Sequence, residues 1–354
     1  MYAGELLPRL AAVLTQRGHR VETWAPGSLR SVAVAGDVRA IPRGPFWTQR
    51  VLAGALAADP PDVLFLPIQA LPLFRRRTMA TVAVVHDLEF LRFPDTYTAP
   101  NRLLLRFFTR HAVRRATQLI AVSQYTKDAV VRTYGRSAED IAVVTHGVAV
   151  ERFRPQGEGG RRQDALVRER YRLPEQFVLF VGALQPRKNI VGLLRAYEIL
   201  ARQAGTSPAL VLVSGGGWKE ADLLRRLQAS PVRRQIHLLR RVPSDDLPAL
   251  YRIARVFTLP SFSEGFGLPV LEAMAAGTPV VTSDTSALLE SAGDAALLVS
   301  PSDPGALAQA IAKILSDDSL RQELVRKGRE RAAQFTWERA AERTAAVIEK
   351  AGWP

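Results

Sequence analysis

The sequence EGFGLPVLEAMAAGTPVV, residues 264–281, contains the pattern that decides the fold of the second half of the chain. It follows VFTLPS (256–261), an apolar run that predicts a buried strand. The glycines of EGFG allow a tight turn, Pro269 suits the first turn of a helix, and Gly277 suits its end. The stretch therefore predicts a strand, a glycine turn and a helix whose N-terminus attracts anions.

Two acidic residues lie on either side of this turn. Glu264 stands before the glycines, and Glu272 lies about one turn into the helix. A carboxylate in such a place can accept hydrogen bonds from a vicinal diol, as acidic residues do for ribose in dinucleotide-binding folds. Taken alone, the pair favours a simpler interpretation, in which Glu264 caps the helix and Glu272 is solvated.

Two further stretches carry polar groups at predicted strand ends. VGALQPRKNIVGLL (181–194) places Arg187 and Lys188 after a strand, where two cations suit a diphosphate or a solvated basic turn. VVHDLEFLRFP (84–94) places His86 after another strand, where it can bond a sugar hydroxyl or serve as an ordinary loop residue. It lacks the serine or cysteine context of a hydrolase triad.

Alternation of β-branched runs with helical stretches predicts an α/β fold of two similar halves with parallel sheets. The charged, glycine-rich stretch near residue 150 predicts domains at 1–153 and 176–335, joined by a linker at 154–175. We expect the first domain to lack its initial strand, because Met1 lies about where the first helix should start. Ligands of such halves bind at the carboxyl ends of the strands.

Composition narrows the class of partner and site. The formal net charge of +14 and pI of about 10.7 favour nucleic acid, an acidic membrane surface or phosphorylated substrates. Without cysteine the chain has no disulfide, iron–sulfur cluster or thiolate zinc site, and its five histidines lack metal-ligand spacing. We find neither a signal peptide nor an apolar run of ~18 residues, and expect a cytoplasmic protein.

A basic stripe in the first half allows two interpretations. NRLLLRFFTRHAVRRA (101–116) repeats arginine every fourth residue, at Arg102, Arg106, Arg110 and Arg114, which lie on one helical face. With the neighbouring leucines and phenylalanines, this face suits docking on anionic lipid. It equally suits a solvated face over a core-packed one. Nucleic acid is not expected as a partner, because the arginines recur on helices without interleaved aromatic residues.

Five stretches together resemble the retaining glycosyltransferases of family four. In chain order they are VVHDLEFLRFP, VGALQPRKN, RVPSDDLPALYRIARVFTLPS, SEGFGLPVLEAMAAGTPVV and FTWERAAERT. The resemblance implies the GT-B architecture, in which two Rossmann-like domains face each other across a cleft. It also implies that the last helix, at about 336–354, packs back on the first domain.

The resemblance further implies a role for individual residues. Glu272 would bind the donor ribose and Glu264 the transferred sugar, while Arg187 and Lys188 would stabilise the departing diphosphate and His86 would reach the sugar. Further donor-binding positions implied by the resemblance are Gly182, Arg241, Val242, Gly265, Phe266, Gly267 and Leu268. One departure is Ala183, since many relatives have an arginine shortly after the strand glycine.

The implied reaction is transfer of a hexose from a nucleotide-sugar to a glycan or lipid-linked acceptor in bacterial surface polysaccharide or glycolipid synthesis. Front-face attack would retain the anomeric configuration without a protein nucleophile, a metal or a further cofactor. GDP-mannose is the first choice of donor, ahead of a UDP-sugar, and the enzyme would lie peripherally on the inner face of the plasma membrane. Two alternatives stay open: a non-catalytic sugar-nucleotide-binding protein and a sugar-nucleotide epimerase on the same fold.

Overall fold

The computed structural model describes residues 2–27, 37–76, 78–154, 157–204, 208–216 and 220–352. Met1, residues 155–156 of the expected linker and residues 353–354 of the expected last helix lie outside this description. The chain divides into two compact units. Unit 1 comprises Met1–Arg92, Thr98–Gly147 and Phe335–Pro354, and unit 2 comprises Phe93–Tyr97 and Val148–Gln334.

Strands and helices alternate through the described residues. The strands are β1 (Glu22–Pro26), β2 (Asp37–Ile41), β3 (Val63–Leu66), β4 (Ala80–Val85), β5 (Gln118–Ala121), β6 (Ile141–Val143), β7 (Phe177–Val181), β8 (Ala209–Ser214), β9 (Ile236–Arg240), β10 (Val256–Leu259), β11 (Val280–Ser283) and β12 (Leu297–Val299). The helices are α1 (Tyr2–Gln16), α2 (Ala53–Ala58), α3 (Glu89–Arg92), α4 (Ala99–Arg115), α5 (Gln124–Tyr134), α6 (Val150–Phe153), α7 (Gly157–Arg170), α8 (Ile190–Ala204), α9 (Glu220–Ala229), α10 (Leu247–Ile253), α11 (Leu268–Ala276), α12 (Ala287–Ala292), α13 (Pro304–Ser316), α14 (Asp318–Ala332) and α15 (Trp337–Gly352).

Unit 1 contains a parallel sheet in the order β3-β4-β5-β6 and a separate parallel pair, β1 and β2. The last helix, α15, packs on α1 and on strands β3 to β5. Arg9 of α1 donates to Glu338 of α15 at 2.7 Å, and Arg17, which directly follows α1, donates to Glu349 of α15 at 2.7 Å. A Cβ at Gly147 would lie 2.2 Å from the Trp337 backbone nitrogen, so glycine is required for this close packing.

Unit 2 contains a parallel sheet in the order β12-β11-β10-β7-β8-β9. Strands β7, β8 and β10 are almost wholly buried, as expected for continuous apolar runs in a parallel sheet with helices on both faces. The carboxyl ends of neighbouring parallel strands lie at one edge of the sheet. The loops that follow β7, β8, β9 and β10 are thereby placed side by side at the edge where such folds bind ligands.

The predicted linker at 154–175 differs from the observed structure. It contains the helix α7, which belongs to unit 2 and packs on α10. Arg252 of α10 donates to Asp164 of α7 at 2.6 Å, and Val167 is fully buried. The charge and glycine content of this stretch predicted a linker. Instead, burial of Val167 and the ion pair between Arg252 and Asp164 hold α7 against the rest of unit 2.

Among the helices that the structure describes, we find none with both the length and the apolar character needed to cross a lipid bilayer.

Candidate active site

The glycine turn before α11 has the geometry that the sequence predicts. Gly267 has φ of 101°, and a Cβ there would lie 2.8 Å from Leu288 Cδ2 and 2.8 Å from Ser291 Oγ. Backbone angle and crowding both require glycine. Gly277, with φ of 80°, ends the helix. Because α11 is buried from Val270 to Ala276, its N-terminus is held firmly at the sheet edge.

Glu264 lies in a dense group of hydrogen-bond donors and is only 6% exposed. Lys188 Nζ donates to its Oε1 at 2.5 Å, and Arg187 Nη1 donates to its Oε2 at 2.9 Å. The Ser261 hydroxyl also donates to Oε1, at 2.6 Å. Glu264 is therefore not a helix cap: its carboxylate holds two cations together.

The turn that carries these cations is tied to the loop after β10. The Phe262 backbone nitrogen donates to Arg187 O at 2.8 Å, and Arg187 Nη1 also donates to Ser263 O at 3.0 Å. Asn189 has φ of 57° and donates through Nδ2 to Pro260 O at 3.1 Å. Arg187 and Lys188 lie outside the α-helices and strands, but these bonds fix them at the ends of β7 and β10.

Two opposing effects act on the pKa of Glu264. Burial raises the pKa, while the charges of Lys188 and Arg187 and the hydrogen bonds from Lys188 and Ser261 lower it. The cations prevail, and the pKa lies well below its usual range. Glu264 is a carboxylate at neutral pH.

Glu272 is also 6% exposed but has a different environment. Tyr251 Oη donates to its Oε2 at 2.8 Å, and Thr278 Oγ1 donates to the Tyr251 carbonyl at 2.6 Å. Burial raises the pKa of Glu272 to about 7, although the Tyr251 hydrogen bond and the charge of Arg152 lower it in part. A solvated Glu272 is excluded by this burial.

Tyr251 is one residue of the candidate site that the sequence did not predict. It stands in the buried helix α10, where its ring packs against Phe153 and Phe257. One signal could have identified it, because a buried tyrosine hydroxyl needs a polar partner. The sequence does not show which residue that partner is.

The remaining positions predicted to bind the donor lie at the same edge of unit 2. Gly182 follows β7, and a Cβ there would lie 3.8 Å from Lys188 Cε. Gly265 and Phe266 are buried, and Leu268 is the first residue of α11. Gly265 and Phe266 thus lie in the turn that leads into α11.

Arg241 lies at a different point of the same edge, and half-buried Val242 follows it. Arg241 lines a cavity of about 670 Å³ after β8 and β9. The other residues that line the cavity are Gly215, Gly216, Glu220 and Arg240. Glu220 and Arg240 are additions to the residues predicted from the sequence.

His86 belongs to unit 1, where it follows β4. Its Nε2 lies 2.9 Å from Pro67 O, and its ring packs edge-on against Tyr2 and His146, with centroids 4.8 Å and 5.4 Å away. Burial and the neighbouring His86 lower the pKa of His146 to about 3. His86 therefore belongs to an aromatic cluster in which the His146 side chain is uncharged at neutral pH.

Helix α4 of unit 1 exposes apolar side chains beside its arginines. Leu103, Leu104 and Phe107 are 68%, 44% and 52% exposed. The buried positions of the helix are Thr109, Ala112 and Val113. The interpretation in which the apolar residues of this helix pack into the core is therefore contradicted for its first half.

No group of three or more histidine, aspartate or glutamate side chains suited to a metal ion occurs within the described parts of the chain.

Comparison with known proteins adds the family. A family model described as "Glycosyltransferase Family 4" matches residues 5–152, and one described as "Glycosyl transferases group 1" matches residues 164–331. O-antigen chain mannosyltransferase B of Escherichia coli is 33% identical over 269 residues, which cover 76% of this chain and 70% of that protein. D-inositol 3-phosphate glycosyltransferase of Salinispora arenicola is 35% identical over 238 residues, which cover 64% of this chain and 53% of that protein.

Among solved structures, HepE of Anabaena in complex with UDP-glucose is similar in fold. Its TM-score is 0.74 at 19% identity, covering 99% of this chain and 96% of that one. WaaG, a glycosyltransferase involved in lipopolysaccharide biosynthesis, has a TM-score of 0.70 at 19% identity, covering 96% of this chain and 94% of that one. Together with the parallel sheets and flanking helices described above, these neighbours show the GT-B fold of two Rossmann-like domains.

Proposed function

Because the chain belongs to the group 1 glycosyltransferases, we propose that it transfers a hexose from a nucleotide-sugar to a glycan or lipid-linked acceptor, retaining the anomeric configuration and requiring no metal. The observation that carries this proposal is the buried group of Glu264, Lys188 and Arg187 beside the N-terminus of α11. The group combines a sugar-bonding carboxylate with two cations for a diphosphate.

In this mechanism the cations act on the leaving group. The bond between the anomeric carbon and the diphosphate oxygen breaks, and negative charge develops on that oxygen. The hydrogen bonds to Glu264 fix Lys188 and Arg187 in place, so in this proposal they would stabilise that charge without reorganising. The acceptor hydroxyl attacks from the same face, and its proton passes to a donor phosphate oxygen.

The other residues bind the donor. Backbone N–H groups at the start of α11 would hold sugar and phosphate, and ionised Glu272 would accept hydrogen bonds from the ribose diol. Glu264 would bond a hydroxyl of the transferred sugar. GDP-mannose remains the first choice of donor, supported by the similarity to the E. coli mannosyltransferase, while UDP-glucose in HepE supports the second choice.

The proposal is tested by donor hydrolysis, which needs no acceptor. The intact chain is incubated with GDP-mannose, UDP-glucose and ADP-glucose in EDTA, and NMR identifies the first anomer released. We expect one donor to raise the melting temperature and to release the retained anomer. Arg187→Met should slow release by about a hundredfold or more, since one transition-state donor is lost.

Arg326→Met is the matched control, because Arg326 forms an ion pair with Glu330 on the surface of α14. Its hydrolysis rate should equal that of the wild type. Release of the inverted anomer would overturn the retaining mechanism. A thermal shift without hydrolysis would favour the non-catalytic sugar-nucleotide-binding protein, and absence of both with every donor would overturn the donor site itself.

We also propose that α4 docks on an anionic membrane surface. Exposed Leu103, Leu104 and Phe107 supply apolar area, and the stripe of Arg102, Arg106, Arg110 and Arg114 supplies charge. Each basic side chain near such a surface contributes about 1 kcal/mol. The alternative, a solvated face, predicts no lipid binding.

Vesicle sedimentation separates the two interpretations. Wild type should bind phosphatidylglycerol-rich vesicles, and a variant with Leu103, Leu104 and Phe107 all changed to serine should bind at least about tenfold more weakly. Leu289→Ser, at a leucine of unit 2 that is 44% exposed, is the control and should bind like the wild type. Equal binding by all three proteins would contradict docking through α4.

A further inference from the structure

The cavity after β8 and β9 contains a carboxylate that the proposed mechanism does not use. This cavity of about 670 Å³ is lined by two glycines, two arginines and Glu220. The carboxylate of Glu220 is only 12% exposed, and Arg240 Nη2 donates to its Oε2 at 2.6 Å. A carboxylate that is largely shielded from solvent at the wall of a cavity offers a strong hydrogen-bond acceptor to a ligand.

Sheet topology relates this cavity to the group of Glu264, Lys188 and Arg187. The strand order is β10-β7-β8-β9, so the loops after β10 and β7 adjoin those after β8 and β9. Neighbouring strands lie about 4.8 Å apart. The nucleoside of a diphosphate bound at the first pair of loops can therefore reach the cavity at the second pair.

The wall of the cavity is fixed by backbone bonds. Gly216 has φ of 115°, and its backbone nitrogen donates to Ser214 Oγ at 3.1 Å. Arg241 has φ of 55°, unusual for a residue other than glycine, and its backbone nitrogen donates to Ser214 O at 3.3 Å. Ser214 thus holds both sides of the cavity in place.

Glu220 is oriented within this wall. Arg240 donates to Oε2, which can accept a second hydrogen bond, while Oε1 lies toward Gly216, 3.8 Å from where a Cβ would be. A carboxylate accepts hydrogen bonds and donates none. Its matching partner on a base is therefore a pair of adjacent N–H donors.

Guanine is the base with such a pair, formed by N1–H and the 2-amino group. Uracil offers one N–H between two carbonyl oxygens, and adenine places an acceptor nitrogen beside its amino group, so both oppose a carboxylate. We propose that Glu220 reads the guanine edge and makes the donor a GDP-sugar. This inference rests on the proposed function, because it takes the cavity as the base-binding part of a donor site.

Isothermal titration of the intact chain with GDP, inosine diphosphate, UDP and ADP tests the inference. We expect GDP to bind at least about tenfold more tightly than UDP and ADP, and inosine diphosphate, which lacks the 2-amino group, to bind several-fold more weakly than GDP. Glu220→Gln should abolish both preferences. Glu330→Gln, which removes a carboxylate paired with Arg326 on α14, should keep them.

The outcomes separate this inference from the proposed function. Binding of all four nucleotides with similar affinity, or a guanine preference unchanged in Glu220→Gln, overturns the role of Glu220 and leaves a donor site in place. Absence of binding by any nucleotide overturns both. The comparison of GDP with inosine diphosphate uses wild-type protein, so the test stands even if Glu220→Gln fails to fold.

Discussion

The loop before Gly267 and the helix after it each bury one glutamate, and the two differ in charge. Glu264 and Glu272 are both 6% exposed. The pKa of Glu264 is lowered because two cations outweigh its burial, while burial raises the pKa of Glu272 to about 7, since its direct partner is the neutral Tyr251. Depth alone therefore does not set the charge of a buried acid, and the partner within hydrogen-bond distance decides.

The largest effect on stability is expected from breaking an ion pair of Glu264, on the loop side of this comparison. Lys188→Met leaves Glu264 buried with Arg187 as its one remaining cation, and removing one partner of a buried pair costs about 3 to 5 kcal/mol. Urea unfolding at pH 7.5 measures the loss. Lys313→Met, at an exposed lysine of α13, should change the free energy of unfolding by less than about 0.5 kcal/mol.

A double variant sharpens this result. Adding Glu264→Gln to Lys188→Met removes the uncompensated charge, so part of the lost stability should return. If Lys188→Met costs no more than the Lys313 control, the cluster does not hold a buried charge and the assignment of a permanently ionised Glu264 is wrong.

Glu272, on the helix side, should make stability depend on pH with a sign opposite to that expected for Glu264, because its pKa is raised and that of Glu264 is lowered. An acid whose pKa is raised in the folded protein stabilises it only while protonated. Between the ordinary pKa of 4.5 and about 7, the unfolded chain loses a proton that folded Glu272 keeps, so the free energy of unfolding falls as pH rises. Glu272→Gln removes this titrating group. The free energy of unfolding of the variant, relative to that of the wild type, should therefore rise by up to about 3 kcal/mol between the low and the high end of this pH range.

Urea unfolding of both proteins at pH 5 and pH 8 measures this gain, and other titrating groups cancel in the difference. A constant difference between the two pH values would show that Glu272 is already ionised at pH 5. The two glutamates would then be alike, and the contrast between loop and helix would fail.

The sequence alone predicted the backbone elements of this site better than the contacts between its side chains. The strand, the glycine turn and the bounds of α11 follow from Gly267, Pro269 and Gly277, whose backbone demands are local. Glu264 and Lys188 were each identified, but 76 positions separate them, and the sequence does not show that they pair. Pairing depends on the order of β7 and β10 in the sheet.

The errors have the same physical origin. Residues 154–175 were predicted as a linker from local composition, yet packing against α10 makes a helix of them. The apolar residues of α4 were open to two interpretations, since periodicity gives the face of a helix but not what lies opposite it. Glu220 stood out in no local pattern, because its role depends on a cavity built by other strands.

A smaller effect is expected from the partner of Glu272. Tyr251→Phe removes the hydrogen bond to Oε2, and bonds to charged groups are worth more than bonds to neutral ones. The variant should lose about 2 kcal/mol at pH 8, where Glu272 is ionised, and about 1 kcal/mol at pH 5. Tyr197→Phe is the control, because Tyr197 is equally buried and donates to the neutral Pro208 carbonyl, so its cost should not change with pH.

The smallest expected effect connects the charge of Glu272 to ligand binding. If the ribose diol donates to an ionised carboxylate, binding must remove the proton that Glu272 holds below about pH 7. GDP should then bind about tenfold more tightly at pH 8 than at pH 6, and at pH 7 about half a proton should be released per nucleotide. Titration calorimetry in buffers of different ionisation enthalpy measures the proton, and Glu272→Gln should release none. Proton release that persists in Glu272→Gln would assign the titration to another group, whereas a wild type with no release would mean that the diol binds elsewhere than at the raised-pKa glutamate.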